Sequence, residues 1–221
     1  MSSSRSIAAL DPTRSVVEQL RERVAALEHK PALQPVPTLP GLADLVPLHA
    51  GATYAVDSAS LAMALAAGAS QAGEWVGFAG CADFGAEAAA ELGIELSRTV
   101  LVPDPGEHWL EVTAALVDVL RVVVLRPPAS VDERTAGLLD SRLRTRSCVL
   151  VVHGDWPRAE ARVSIERSGW SGPTSGTGQL QERRARVVVR RGARPPQQAD
   201  LTWPGVHRVD RPMHEIRKAL G

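Results

Sequence analysis

Asp57 and Ser58 stand where chemistry would occur if this chain bound a nucleotide. They join the run Leu48-His49-Ala50-Gly51-Ala52-Thr53-Tyr54-Ala55-Val56 to an alanine-rich helical pattern over residues 58–68. Strand, short turn and helix form the frame of a phosphate-binding loop. Its working sequence, G-x-x-x-x-G-K-[ST], uses glycines to let backbone N–H groups approach the phosphates, lysine to neutralise them and a hydroxyl to hold magnesium. Here Asp57 and Ser58 occupy the places of the second glycine and the lysine, followed by Ala59 and Ser60. A carboxylate at that point repels a triphosphate. Each lost charged hydrogen bond is worth roughly 1.5 to 3 kcal/mol, so binding weakens by about a hundredfold or more. The site reads as a degenerate nucleotide pocket, and no cofactor is expected in it.

Other chemically able residues are fewer. His153 and Asp155 follow an apolar strand pattern, but no further ligands with metal-site spacing accompany them. Asp155 is expected to act in a turn and helix cap. Cys81 and Cys148, the two cysteines, fall at strand positions and read as buried reduced thiols. The basic stretch Arg183, Arg184, Arg186, Arg190, Arg191 and Arg194 follows the glycine-rich segment 168–178, which offers Trp170 for stacking on a base. Single-stranded DNA contact and a solvated strand face are the two readings. If all six arginines meet phosphates, log affinity falls against log salt with a slope of about −4.

The elements that position these residues follow from periodicity. Residues 74–80 and 99–102 read as short buried strands with a helix from Ala82 to Gly93 between them. A helix over 110–120 leads to a strand over 121–126, and Ser130 opens a helix that runs to Arg146. The apolar run 147–152 is a further strand, and 162–167 and 184–191 are strands with one wet face. The expected fold is α/β, a mainly parallel sheet flanked by helices.

This succession resembles the RecA recombinases, and so implies a RecA-like P-loop NTPase core. Two family positions depart from the pattern. Gly80-Cys81-Ala82 has no carboxylate where recombinases activate water, with Asp83 adjacent but out of register. Arg126, followed by Pro127-Pro128, stands where an aspartate would hold magnesium. The resemblance thus implies a protein without catalytic activity. A closer similarity is to the actinobacterial ImuA-prime proteins, RecA-like accessory factors of the translesion mutasome. It rests on residues 83–94, on 102–112 (Val-Pro-Asp-Pro-Gly-Glu-His-Trp-Leu-Glu-Val) and on His153-Gly154-Asp155-Trp156-Pro157-Arg158. It implies an adaptor of the DNA-damage (SOS) response that binds an ImuB-type Y-family polymerase homologue. Through that partner it would reach an error-prone replicative-type polymerase subunit. RecA-like subunits, further copies of itself and single-stranded DNA complete the implied partners, and the implied location is cytoplasmic, at the nucleoid during damage. The alternative is a SulA-like inhibitor of cell division binding a tubulin-like filament protein, since those proteins also have RecA-like folds without nucleotide sites.

Composition agrees with a globular chain: 221 residues, 44% apolar and 23% charged. Neither a secretory signal nor a membrane span is visible in the sequence. The zero net charge hides a polarity. Residues 74–120 carry nine acidic side chains against one arginine, Arg98, whereas the chain beyond them is basic. Four regions are expected: a helical arm over 1–30, a proline-rich linker over 31–47, the core over 48–191 and a tail over 192–221 with a short helix. Val17, Leu20, Val24 and Leu27 line one side of the arm. Those four, with Trp203, Met213, Ile216 and Leu220 in the tail, are the candidate partner-binding residues, packing on the chain's own core being the other reading.

Overall fold

The structure is a computed structural model that describes residues 34–171, 182–203 and 206–208. Strand β1 (Pro35–Val36) pairs antiparallel with β2 (Leu48–His49), with the short helix α1 (Pro40–Ala43) between them. Pro40 lies in the first turn of α1, where its missing N–H leaves no bond unmade. The apolar residues spaced between the prolines, Val36, Leu39, Leu42, Leu45 and Val46, are all buried in the main core. The expected linker is therefore corrected for residues 34–47, which are part of the globular unit. The contacts divide the chain after Leu33 instead.

The main sheet is built from β3 (Thr53–Val56), β4 (Val76–Ala79), β5 (Thr99–Val102), β6 (Val122–Leu125), β7 (Val149–His153), β8 (Ala161–Ser171), β9 (Glu182–Arg190), β10 (Gln197–Trp203) and β11 (His207–Arg208). Its order is β11-β10-β9-β8-β3-β7-β6-β4-β5. The strands from β8 to β5 in that order are parallel, and β9 to β11 extend the sheet by antiparallel pairing. Strands β3, β4 and β6 are buried along their whole length, which is why they read as unbroken apolar runs and not as alternating ones.

Helices cover the parallel strands from both sides. α2 (Ala59–Gln71) and α3 (Ala86–Glu91) follow strands whose connections move toward β5, and right-handed crossovers place both on one face. There Leu61, Leu65, Phe78 and Val124 share a core. α4 (Trp109–Val119) and α5 (Glu133–Arg146) belong to the returning connections and lie on the other face, where Leu116, Val117, Leu139, Leu143 and Trp156 share a second core. Asp118 ties these two helices together by accepting from both Arg142 and Arg146.

Several boundaries differ from the sequence reading. Asp132, not Ser130, caps α5, accepting from the Thr135 N–H at 2.7 Å. β8 continues to Ser171, beyond the expected Arg167. The largest correction concerns the expected tail. Residues 197–203 form β10, and Ala199, Leu201 and Trp203 are buried in the core of the α2 side. Trp203 is only 6% exposed, so it packs the fold and is not available as a docking anchor. Val17, Leu20, Val24, Leu27, Met213, Ile216 and Leu220, together with the loop segment 172–181, lie outside the described residues.

Candidate functional site

In a parallel α/β sheet the place for a ligand is the crest outside the carboxyl ends of the strands, where neighbouring connections leave in opposite directions. β3 and β7 are such neighbours: the chain leaves β3 into α2 on one face and leaves β7 toward the other. Asp57, Gly80, Arg126, His153 and Asp155 all lie at or beside this crest, each just past or at the end of a parallel strand.

Only two residues, Asp57 and Ser58, connect β3 to α2. A phosphate cradle needs several successive backbone N–H groups wrapped around the anion, and two residues supply no such loop. The nearby Gly51 lies before β3, at the opposite end of that strand, where its N–H donates to the Cys148 carbonyl at 2.8 Å. Asp57 is engaged internally. Both its carboxylate oxygens accept from the Ile165 N–H, at 3.2 and 3.0 Å, and its own N–H donates to the Val163 carbonyl at 3.3 Å. This clamp holds β8 beside the end of β3, next to the irregularity in β8 between Ile165 and Arg167. Ser58 is extended and caps α2, its Oγ accepting from the Leu61 N–H at 3.4 Å. Ser60 Oγ accepts from Arg183 Nη1 at 3.1 Å. Ala59 opens the helix beside them. Asp57, Ser58 and Ser60 thus cap and bind elements of the protein itself.

The neighbouring loops are joined in the same way. Arg126 Nη1 donates to both oxygens of Asp83, at 3.1 and 3.0 Å, linking the turn after β4 to the turn after β6. The Asp83 carboxyl is held below the usual carboxylate range, first by its own backbone N–H and then by the Arg126 guanidinium. Gly80 makes the first of these turns possible. Its φ is +72°, and a Cβ there would lie 2.2 Å from the Arg126 carbonyl oxygen. Asp155 is exposed and pairs with Arg162 at 2.9 Å, with no helix following it to cap. Between α2 and these turns lies a cleft of about 30 Å³ lined by Ala59, Met63, Phe78, Cys81, Asp83 and His153. That is room for a few water molecules only. Burial pushes the Cys81 thiol up to about 11, with Asp83 adding to the shift and Arg126 opposing it. Among the described residues no three His, Cys, Asp or Glu side chains are grouped to hold a metal.

The arginine stretch is laced to its surroundings. Arg184 pairs with Glu182, Arg190 with Glu166, and Arg186 with Asp200 through two bonds of 2.8 and 2.9 Å. Arg191 donates to Gln197 and to the Leu45 carbonyl, tying β9 to the segment after α1. Arg183 lies 6.0 Å from the ring centres of both Trp170 and Trp203. Trp170 is 57% exposed, and Arg194 is exposed too. The structure therefore brings Trp170 and Arg183 together, and it gives three of the six arginines acidic partners, Arg186 and Arg190 across to neighbouring strands and Arg184 within β9. Those partners, Glu166, Glu182 and Asp200, escaped the sequence reading. Their signal was available: residues 197–203 alternate inward Ala, Leu and Trp with polar positions.

Residues 41–158 match the family described as the MT3502 N-terminal domain. Uncharacterized protein Rv3395c of Mycobacterium tuberculosis (strain ATCC 25618 / H37Rv) is 32% identical over 179 residues, which cover 74% of this chain and 86% of that protein. The family match takes in α2 to α5 and strands β3 to β7, with the turns Asp57-Ser58, Gly80–Gly85 and Arg126 at the crest.

Proposed function

The chain belongs to the MT3502 N-terminal domain family, and from that premise we propose that it is a catalytically inactive RecA-like adaptor of the DNA-damage-tolerance mutasome. In this reading it docks an ImuB-type Y-family polymerase homologue and so supports error-prone translesion synthesis. The observation that carries the reading is the closed crest. Asp57 holds the Ile165 amide, Ser58 caps α2, and Arg126 grips Asp83 where a nucleotide and its magnesium would otherwise be held. Function then falls to the protein's surface. The RecA-like part of the proposal draws support from the run of strand, alanine-rich helix and apolar strands, which lies in order within one parallel sheet.

The test is co-elution of the purified full chain with the ImuB-type homologue from the same cell, with and without ATP, beside the tubulin-like division protein. A stable, ATP-independent complex with the polymerase homologue alone is the expected result. Binding to the division protein alone, or a complex that needs ATP, would overturn the proposal.

A further inference from the structure

The outer edge of the main sheet is open. β5 is its last strand, and among the described residues no strand pairs with its far side. The Val102 carbonyl accepts from the Gly80 N–H at 3.0 Å, so Val102, and by alternation Val100, turn their backbone groups toward β4. Leu101 between them turns its N–H and C=O outward. The Thr99 N–H is used in the preceding turn, where it donates to the Leu96 carbonyl. The open template is short: the Thr99 carbonyl and both backbone groups of Leu101.

Apolar side chains flank this template. Leu101 is 44% exposed and Leu96 42%. Leu101 is in register with Phe78, on the face carrying α2 and α3. α3 is only 6 residues long and buries just Ala89, so Leu101 stays uncovered. Apart from its shortness, four residues, β5 carries none of the devices that blunt an edge strand from within: it has no lysine, no proline and no bulge. Around it the charge is predominantly negative. Glu87, Glu91, Glu95, Asp104 and Glu107 are all exposed, and among the described residues none of them forms an ion pair. The single arginine of residues 74–120, Arg98, is turned to the Gly73 carbonyl.

We propose that the β5 edge is a docking site for a Lys/Arg-rich, apolar-alternating extended segment of another protein, which adds a short strand beside Leu101. Backbone bonds to Leu101 set its register, Leu101 and Leu96 receive its apolar side chains, and the carboxylates attract its cationic ones. The charge decides between occupants. A second copy pairing edge to edge would bring two such acidic segments within about one Debye length of each other, whereas a basic segment gains from the same field. The inference does not rest on the polymerase reading, and it stands or falls separately from the co-elution experiment.

The test uses the full chain and three labelled nonapeptides followed by fluorescence anisotropy. One alternates lysine and valine, one alternates glutamate and valine, and one is the lysine peptide with proline at its centre. The lysine peptide should bind. The glutamate peptide should not, and the proline peptide should bind at least tenfold more weakly because it lacks the central N–H. Leu101→Lys, and independently Leu96→Lys, should weaken the lysine peptide at least tenfold, while Leu138→Lys on the exposed side of α5 leaves it unchanged. Failure of the lysine peptide to bind, equal binding of the proline peptide, or tight binding by both variants would overturn the proposal. So would slow exchange of the Leu101 amide in the free protein, which would show the edge covered by this chain's own residues. A dimer that Leu101→Lys dissolves would assign the edge to a second copy.

Discussion

Gly68→Ala sets helix propensity against packing, and the two predict opposite signs. Gly68 is in the interior of α2, where alanine is favoured over glycine by about 1 kcal/mol. The structure places the backbone of Thr38 2.5 Å from the position of the new Cβ, and the Leu39 nitrogen 2.7 Å from it. These are main-chain atoms, so relief requires moving the segment that buries Leu39 and Leu42. Such overpacking costs about 1 to 3 kcal/mol, and a partial exposure of one leucine adds about 1.5 kcal/mol. After subtracting the propensity gain, the net loss is about 2 kcal/mol, a fall in Tm of roughly 4 to 8 °C for a chain of this size. Gly137→Ala is the matched control: it is also helical, with nothing within 4 Å of its Cβ, and should raise Tm slightly. Thermal melts of the two variants and the parent decide the matter. If Gly68→Ala melts at or above the parent, in step with Gly137→Ala, residues 34–47 do not pack on α2 and the correction of the linker is wrong.

Two further perturbations probe the clamps. Hydrogen bonding to Arg142, supported by Arg146, lowers the Asp118 carboxyl to about 2. A carboxyl whose folded value is depressed stabilises the fold above its unfolded value, near 3.9, and that contribution fades as pH falls toward 2. Asp118→Asn should therefore melt below the parent at pH 5 to 7, and the two melting curves should converge as pH drops from about 4 to 2; a constant gap would refute the pairing. Asp57→Ala removes the acceptor of the Ile165 amide and should cost about 1 kcal/mol for this exposed charged bond. Hydrogen exchange at Ile165 should accelerate in that variant and far less in Asp57→Asn, which keeps one acceptor oxygen.

The parallel half of the fold was legible because burial on both faces writes itself as apolar runs. Val122-Val123-Val124-Leu125 and Val149-Leu150-Val151-Val152 could be little else between amphipathic helices. The edges were harder to read. The segment 34–47 carries prolines at the spacing of a stiff connector, and only the packing of Leu39 and Leu42 against α2 reveals it as part of the core. β10 hid for a similar reason. Its inward residues Ala199, Leu201 and Trp203 are separated by Asp200 and Thr202 and preceded by Pro195-Pro196, so local hydrophobicity is low although the alternation is complete.

The candidate site was half legible, and the missing half is one of pairing. Sequence position identified Asp57, Ser58 and Arg126 as residues unsuited to a nucleotide, which is a statement about charge alone. It could not show that the same charges are put to use inside the fold, because their partners lie far along the chain: Ile165 is 108 residues from Asp57, and Asp83 is 43 from Arg126. The same distance effect misleads for the arginines of β9. Counted along the chain they form a basic run, but Asp200 and Glu166 reach Arg186 and Arg190 from the flanking strands. Net charge read along a sequence predicts a field only where no neighbouring strand supplies the opposite sign. By that criterion the acidic stretch around β5 is the region whose charge remains turned outward. It lies at the end of the sheet where backbone groups are also open, so partner recognition is better sought there than at the arginine strand.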